Sequence, residues 1–144
     1  MLENRSAPNA PVVPVLVYAD VGPAIDWLCR AFGFQERLRF TSPSGVVLHA
    51  QLVYGEGAII IGRRGGSFRP PRSGETCQYV HVTVEDVDAH FEHALQAGAK
   101  LVEAPADKPF GERQYSVEDP EGHRWTFSQH IADVSPEEWG AVPS

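Results

Sequence analysis

Residues 78–84 alternate Val80, Val82 and Val84 with Tyr79, His81 and Thr83. A two-residue period predicts a strand with one buried face. Val87, Phe91, Ala94 and Leu95 then recur at helical spacing until Gly98, so a helix follows directly and stops there. The chain makes the same unit earlier. Residues 12–18 are apolar and strand-like, Asp20-Val21 opens a helical pattern, and Gly33 closes it. Asp20-Val21 corresponds to Asp86-Val87, Ile25 to Phe91 and Leu28 to Ala94, each 66 residues apart. A repeat of this size organises everything else in the chain.

The remaining elements follow the same order in both copies. In the first, Asp20 or Gly22 caps the helix, with Pro23 in its first turn. Strands are predicted at 34–41, 46–54 and 58–61, with turns at Ser42–Gly45 and Gly55–Gly57. In the second, strands fall at 100–104, 112–118 and 123–130. A loop carries Pro105 and Pro109, and Asp119-Pro-Glu-Gly122 forms a β-turn. Gly57 matches Gly122 at an offset of 65. Each copy therefore reads βαβββ. Residues 1–11 are expected to be a loose arm. Ser135-Pro-Glu-Glu138 reads as a capping box opening a short helix, with Trp139 packed on the body or on a second subunit.

The expected class is α+β. One helix covers one face of each four-stranded sheet, so the other face needs a partner. The two βαβββ modules are expected to pair into a curved mixed sheet, with helices outside and a concave cavity for a ligand. The 144 residues form a single domain in this reading: a first module at 12–62, a linker at 63–77, a second module at 78–130 and a tail at 131–144. The linker region carries Arg63, Arg64, Arg69 and Arg72 among glycines and prolines. It reads as a solvated connection, with a cationic lid for an anionic ligand as the alternative.

Composition narrows the function. A hydrophobic content of 42% supports an ordinary core, and a net charge of −7 argues against a nucleic-acid partner. No apolar run has membrane-spanning length, and the polar N-terminus does not read as a signal peptide. The expectation is a cytoplasmic protein with no membrane partner. Cys29 and Cys77 read as free thiols in a reducing compartment.

Alternation also assigns faces. Tyr79, His81 and Thr83 point away from the second helix, as do His49 and Gln51 on the third strand. At the 65-residue offset their counterparts are Gln114 and Ser116. Arg124, Thr126 and Ser128 face the same way on the last strand, whereas Trp125 and Phe127 pack on the helix. In the first copy Val13, Val15, Ile59 and Ile61 are expected on the ligand face. The ligand-binding residues are thus His49, Gln51, Tyr79, His81, Gln114, Ser116, Arg124 and Thr126. This wall is apolar on one side and hydrogen-bonding on the other. His81 is the acid–base candidate, histidine being the residue type suited to proton transfer near neutral pH. Arg113 either pairs with an acid across the sheet or reaches a ligand anion. His90 and His93 are expected to be solvated.

The paired βαβββ pattern, the Asp86-Val-Asp-Ala89 helix opening and Gln96-Ala-Gly-Ala99 resemble the vicinal oxygen chelate superfamily. So, most specifically, does Phe110-Gly-Glu-Arg113 followed by Asp119-Pro-Glu-Gly-His-Arg-Trp125. That superfamily includes glyoxalase I, the bleomycin resistance proteins and the extradiol dioxygenases. The resemblance covers about residues 12–130. It implies four symmetric metal ligands, one on the first strand and one on the last strand of each module. Those positions carry Val13, Ile61, Tyr79 and Thr126, which are aliphatic or weak ligands. A His49/His81 pair lacks a carboxylate to complete a site. The resemblance therefore implies a bleomycin-resistance-like protein that binds an aromatic or amphipathic small molecule without metal or other cofactor. The alternative is a glyoxalase-like lyase or isomerase using His81. A dioxygenase lacks its His/His/Glu set. Exposed sheet edges and Trp139 suggest a homodimer.

Overall fold

The computed structural model describes residues 2–144. The chain divides into two compact units, Met1–Arg72 and Ser73–Ser144. In the first unit the elements are β1 (Val15–Tyr18), α1 (Val21–Phe32), β2 (Gln35–Thr41), β3 (Val47–Tyr54) and β4 (Gly57–Arg63). In the second they are β5 (Tyr79–Thr83), α2 (Val87–Gln96), β6 (Lys100–Asp107), β7 (Glu112–Glu118) and β8 (Arg124–His130). The sheets have the orders β1-β4-β3-β2 and β5-β8-β7-β6. The edge pairs β1 with β4 and β5 with β8 are parallel, and the other pairs are antiparallel. The fold is α+β, built from two βαβββ modules. Among the described residues no helix is long and apolar enough to cross a membrane.

Each helix covers one face of its own sheet, and that face is the core. Under α1 lie Leu16, Tyr18, Ala50, Leu52, Ile59 and Ile61, with Ile25, Leu28 and Phe32 contributed by the helix. Under α2 lie Val82, Tyr115, Val117, Trp125 and Phe127. The helix starts differ. Asp86 Oδ1 accepts from the Ala89 N–H at 3.1 Å, a side-chain cap. Asp20 occupies the equivalent position without a side-chain cap, and α1 begins at Val21, so Gly22 is inside the helix. Gly33 ends α1 in a left-handed conformation at φ 87°, which only glycine adopts at little cost.

Four expectations are corrected. First, the leading arm is docked on the first unit: Gln51 Nε2 donates to the Ser6 carbonyl at 2.8 Å, and Pro8 is buried. Second, His90 is not a solvated surface histidine. Its Nδ1 is 2.5 Å from the Tyr115 hydroxyl and its ring is 4.3 Å from Phe127, so it closes the edge of the α2 core. Third, the Ser135 side chain makes no capping bond. Residues Pro136–Trp139 form a single 3-10 turn, too short for an α-helical cap, and the Trp139 ring lies 5.5 Å from Phe110. Fourth, β4 runs through Arg63, past the expected linker start. Beyond it, Gly65 and Phe68 exchange two backbone hydrogen bonds at 3.0 Å in a small closed turn.

The repeat offset holds the largest correction. The pairs Val53↔Ala58 and Glu118↔Arg124 are equivalent positions near the turns of the β3–β4 and β7–β8 hairpins. The first pair encloses residues 54–57 and the second encloses 119–123, so the second turn is one residue longer. Asp119 fills it: Oδ1 accepts from the N–H groups of Glu121 and His123, both at 3.0 Å. Matching Gly57 to Gly122 therefore misregisters β4. The ladder pairs Gln51 with Ile60 and Ser116 with Thr126. Ile60, not Ile61, is the counterpart of Thr126. Ile61 pairs with Leu16 and Ala50 under α1 and is 0% exposed, and Ile59 is buried with them. Ile59 and Ile61 are core residues, not part of the open face.

Candidate functional site

The face of each sheet turned away from its helix carries the candidate site residues. In the first unit it is mainly apolar. Val15 pairs with Ile60 and Ile60 with Gln51, while Gly62 pairs with both Val17 and His49. Leu38 and Phe40 on β2 pair with Gln51 and His49. Phe40 and Val15 are more than half exposed, and Val13, just before β1, is half-buried. His49 and Gln51 thus stand together in an aliphatic surround. Their ring and amide nitrogens are 3.2 Å apart. Gln51 is only 2% exposed, because Arg37 and the Ser6 carbonyl hold its amide.

In the second unit the corresponding face is polar, and the ladder orders it into rows. Tyr79 pairs with Arg124, which pairs with Glu118. His81 pairs with Thr126, which pairs with Ser116. Thr83 pairs with Ser128, which pairs with Gln114. Several groups satisfy one another. Ser116 Oγ and Thr126 Oγ1 are 2.7 Å apart, and Gln114 Nε2 donates to Ser128 Oγ at 3.2 Å.

Three groups do not. Tyr79 is 61% exposed, and neither its hydroxyl nor the His81 ring makes a hydrogen bond among the described residues. Arg124 Nη2 lies 3.8 Å from Glu118 Oε1, but its Nε is buried with no hydrogen-bond partner. A donor in that state costs free energy until an acceptor arrives. The structure therefore separates the sequence-derived set in two. His49, Gln51, Gln114, Ser116 and Thr126 are spent on neighbours, whereas Tyr79, His81 and Arg124 keep donors unspent on one face.

Sequence reasoning passed over two acids on this face. Glu112 Oε2 is 2.5 Å from His130 Nδ1, and its Oε1 accepts from Ser128 Oγ at 2.8 Å. Glu118 accepts from Ser73 Oγ at 2.8 Å and from the Gly74 N–H at 3.0 Å, anchoring the chain that enters this unit. Alternation outward from Gln114 and Ser116 reaches both acids. The Phe110-Gly-Glu-Arg113 motif positions Glu112. A Cβ on Gly111 would sit 2.0 Å from the Ala132 carbonyl oxygen, so only glycine lets the tail cross there. The Gly111 carbonyl in turn accepts from the N–H groups of Ile131 and Ala132, at 2.9 and 3.2 Å. Arg113 pairs with Asp107 at 2.9 Å and Asp88 at 3.1 Å, so it braces β7 against β6 and α2.

Burial opposes ionisation of both acids, but their hydrogen bonds outweigh it. Glu112 is held below the usual carboxylate range by His130 and Ser128, with His81 adding a smaller charge effect. Glu118 is held below it by Ser73 and Gly74, then by Lys100 and Arg124. A lowered folded-state pKa contributes stability above the unfolded value, and that stability is lost as pH falls through the folded value. Stability is therefore expected to drop from about pH 4 downward, where unfolded glutamates titrate. Urea melts at pH 7 and pH 3 check this. Glu118→Gln should show a smaller difference between the two than wild type; an equal difference would contradict it.

A divalent cation does not fit the symmetric positions. With the register corrected they are Val13, Ile60, Tyr79 and Thr126, and the Thr126 hydroxyl is already bonded to Ser116. Two aliphatic side chains offer no donor atom. Among the described residues no three His, Cys, Asp or Glu side chains converge on a common point that would hold a metal ion. No metal-dependent step is derived for this chain.

Comparison with known proteins agrees with the topology. The chain is 36% identical to protein Rv0887c of Mycobacterium tuberculosis over 137 residues, covering 91% of this chain and 81% of that protein. Protein Mb0911c of Mycobacterium bovis matches at the same identity, with 90% of that protein covered. The crystal structure of TioX from Micromonospora sp. ML1 is 41% identical, with a TM-score of 0.70 over 85% of this chain and 100% of that one. FosX, a fosfomycin resistance protein of Listeria monocytogenes, has a TM-score of 0.65 at 15% identity over 92% of this chain and 98% of its own, which establishes likeness of fold alone. The profile described as Glyoxalase/Bleomycin resistance protein/Dioxygenase superfamily matches residues 11–127, the stretch that holds both βαβββ modules. By its paired modules and by that match, the chain belongs to the glyoxalase/bleomycin resistance protein/dioxygenase superfamily.

Proposed function

We propose that this protein binds a small amphipathic or aromatic molecule on the open sheet face of its second module without a divalent cation. One observation carries the reading: Tyr79, His81 and Arg124 share a face with hydrogen-bonding capacity unspent. Such a row suits an acceptor-bearing group, a carbonyl, carboxylate or phenolate oxygen. Of the sequence-derived binding residues, these three are the direct donors in this reading. Gln114, Ser116 and Thr126 hold the wall, whereas His49 and Gln51 belong to the first module. The alternative, with His81 as acid–base catalyst, has less support. No hydrogen bond orients the His81 ring, whereas the His130 ring is held by the Glu112 carboxylate.

The test is a thermal-shift screen of aromatic acids and ketones, run with and without EDTA. A ligand present at a hundredfold excess over its Kd adds about 2.7 kcal/mol of native-state stability. For a chain of this size that raises Tm by roughly 5–10 °C. The shift should survive EDTA and shrink at least by half in Arg124→Ala and Tyr79→Phe. A shift that requires added divalent ion, or one indifferent to both substitutions, would sink the reading.

A further inference from the structure

Residues 4–8 lie on the first module as a docked turn, bent at Ser6 and Ala7. Gln51 Nε2 donates to the Ser6 carbonyl at 2.8 Å, and Arg37 Nη2 donates to the Arg5 carbonyl at 3.3 Å. Arg37 Nη1 also donates to Gln51 Oε1, which fixes the amide with its NH2 toward the arm. The two donors stand on adjacent strands, β2 and β3, and engage two successive main-chain carbonyls. Asn4 Oδ1 accepts from the N–H groups of Ser6 and Ala7 at 3.1 and 3.2 Å. The arm therefore satisfies its own donors and offers its carbonyls to the module. Pro8, next in line, is buried.

We infer that Arg37 and Gln51 form a binding site for two consecutive carbonyl groups of a turned, peptide-like chain, and that residues 5–8 are its resident and exchangeable occupant. Main-chain carbonyls carry no side-chain identity. Any molecule offering the same pair beside a proline-sized apolar group competes on equal chemical terms. Leu38 and Ile60, the register partners of Gln51, supply the apolar flank. Exchange is feasible because Glu3, Asn4, Arg5 and Ser6 are exposed and belong to no strand. Such segments open locally far more often than the core. This site lies wholly within the first module and does not rest on the donors of Tyr79, His81 and Arg124.

Trypsin cleaves after Arg5, at the very carbonyl that Arg37 holds, so cleavage of the full chain reports the open population of the arm. Gln51→Glu keeps the side-chain volume and the bond from Arg37 but has no donor for the Ser6 carbonyl. Cleavage at Arg5–Ser6, followed by mass spectrometry, should accelerate roughly tenfold in this variant, as the loss of a hydrogen bond to an opening segment predicts. Cleavage after Arg63 and Arg72 should stay unchanged and serves as the internal control. In a second arm, a synthetic peptide of residues 2–10 is titrated into a chain lacking residues 2–9. It should bind saturably there, bind the full chain far more weakly because the tethered arm competes at high effective concentration, and not bind the shortened Gln51→Glu chain. Equal cleavage in wild type and Gln51→Glu, or a folded shortened chain that ignores the peptide, overturns the inference. Should the shortened chain fail to fold, the cleavage comparison decides alone.

Discussion

Glutamate at Ile61 is expected to unfold the first module, whereas glutamate at Ile60 leaves it folded. The two positions are neighbours in a run of three isoleucines, Ile59 to Ile61. They face opposite sides of the sheet. Ile61 is fully buried between Leu16 and Ala50 beneath α1. A carboxylate there has no cation to meet and no water to solvate it. A buried charge left without its partner costs about 3–5 kcal/mol. Loss of the isoleucine packing adds about 2–5 kcal/mol. The sum rivals the whole stability of a typical domain, roughly 5–15 kcal/mol. Ile60 is half-buried on the open face beside Val15 and Gln51. Its replacement keeps the charge in reach of water and should cost about 1 kcal/mol. Circular dichroism and thermal melts of the two variants check this. Comparable melts for both would mean that β4 is registered one residue away from the ladder described.

Asp119→Ala should be the most damaging single change in the second module that removes no core packing. This carboxylate is 4% exposed and serves three donors. Oδ1 takes the N–H groups of Glu121 and His123, and Oδ2 takes Trp125 Nε1 at 3.1 Å. Truncation orphans a buried indole N–H and unpins the longer hairpin turn. Each buried donor left unmatched costs about 1–3 kcal/mol. A total near 4 kcal/mol is expected, a fall in Tm of roughly 10 °C for a chain of this length. Asp119→Asn discriminates between the roles. An amide still offers an oxygen to the turn, but its NH2 then opposes the indole N–H. It should lose about half as much stability as alanine and change the Trp125 fluorescence. An alanine variant within 1 °C of wild type would show that the turn holds without its aspartate.

Much of the architecture was legible because it is written in short-range pattern. The Val80/Val82/Val84 alternation, the helical spacing from Val87 and the glycine stops at Gly33 and Gly98 each need only a few neighbouring residues to be read. The repeat made the βαβββ order visible twice. The faces of β4 were not legible in the same way. Ala58 to Ile61 contains no polar residue, so no alternation marks which isoleucine points inward. The Gly57–Gly122 match hid a one-residue difference in the turns that the Asp119 side chain accommodates.

The site divides along similar lines. That Tyr79, His81, Gln114, Ser116, Arg124 and Thr126 share a face followed from alternation. Which of them are spent did not, because Ser116 meets Thr126 and Gln114 meets Ser128 only across the β7–β8 ladder. Gln51 is a sharper instance. Its partners, Ser6 and Arg37, come from 45 and 14 residues away, and no local signal announces either. His90 looked like a surface residue by helical spacing. It is held by Tyr115, 25 residues further on.

The sequence by itself determined the α+β class and the duplicated module, because both are written in alternation, helical spacing and a repeated order of elements. Tertiary structure decided which isoleucine is core, which donors stay unpaired and what covers Gln51. The reason is that periodicity is a local property of the chain. Register and hydrogen-bond satisfaction belong to pairs of segments, and only the folded ladder brings those pairs together.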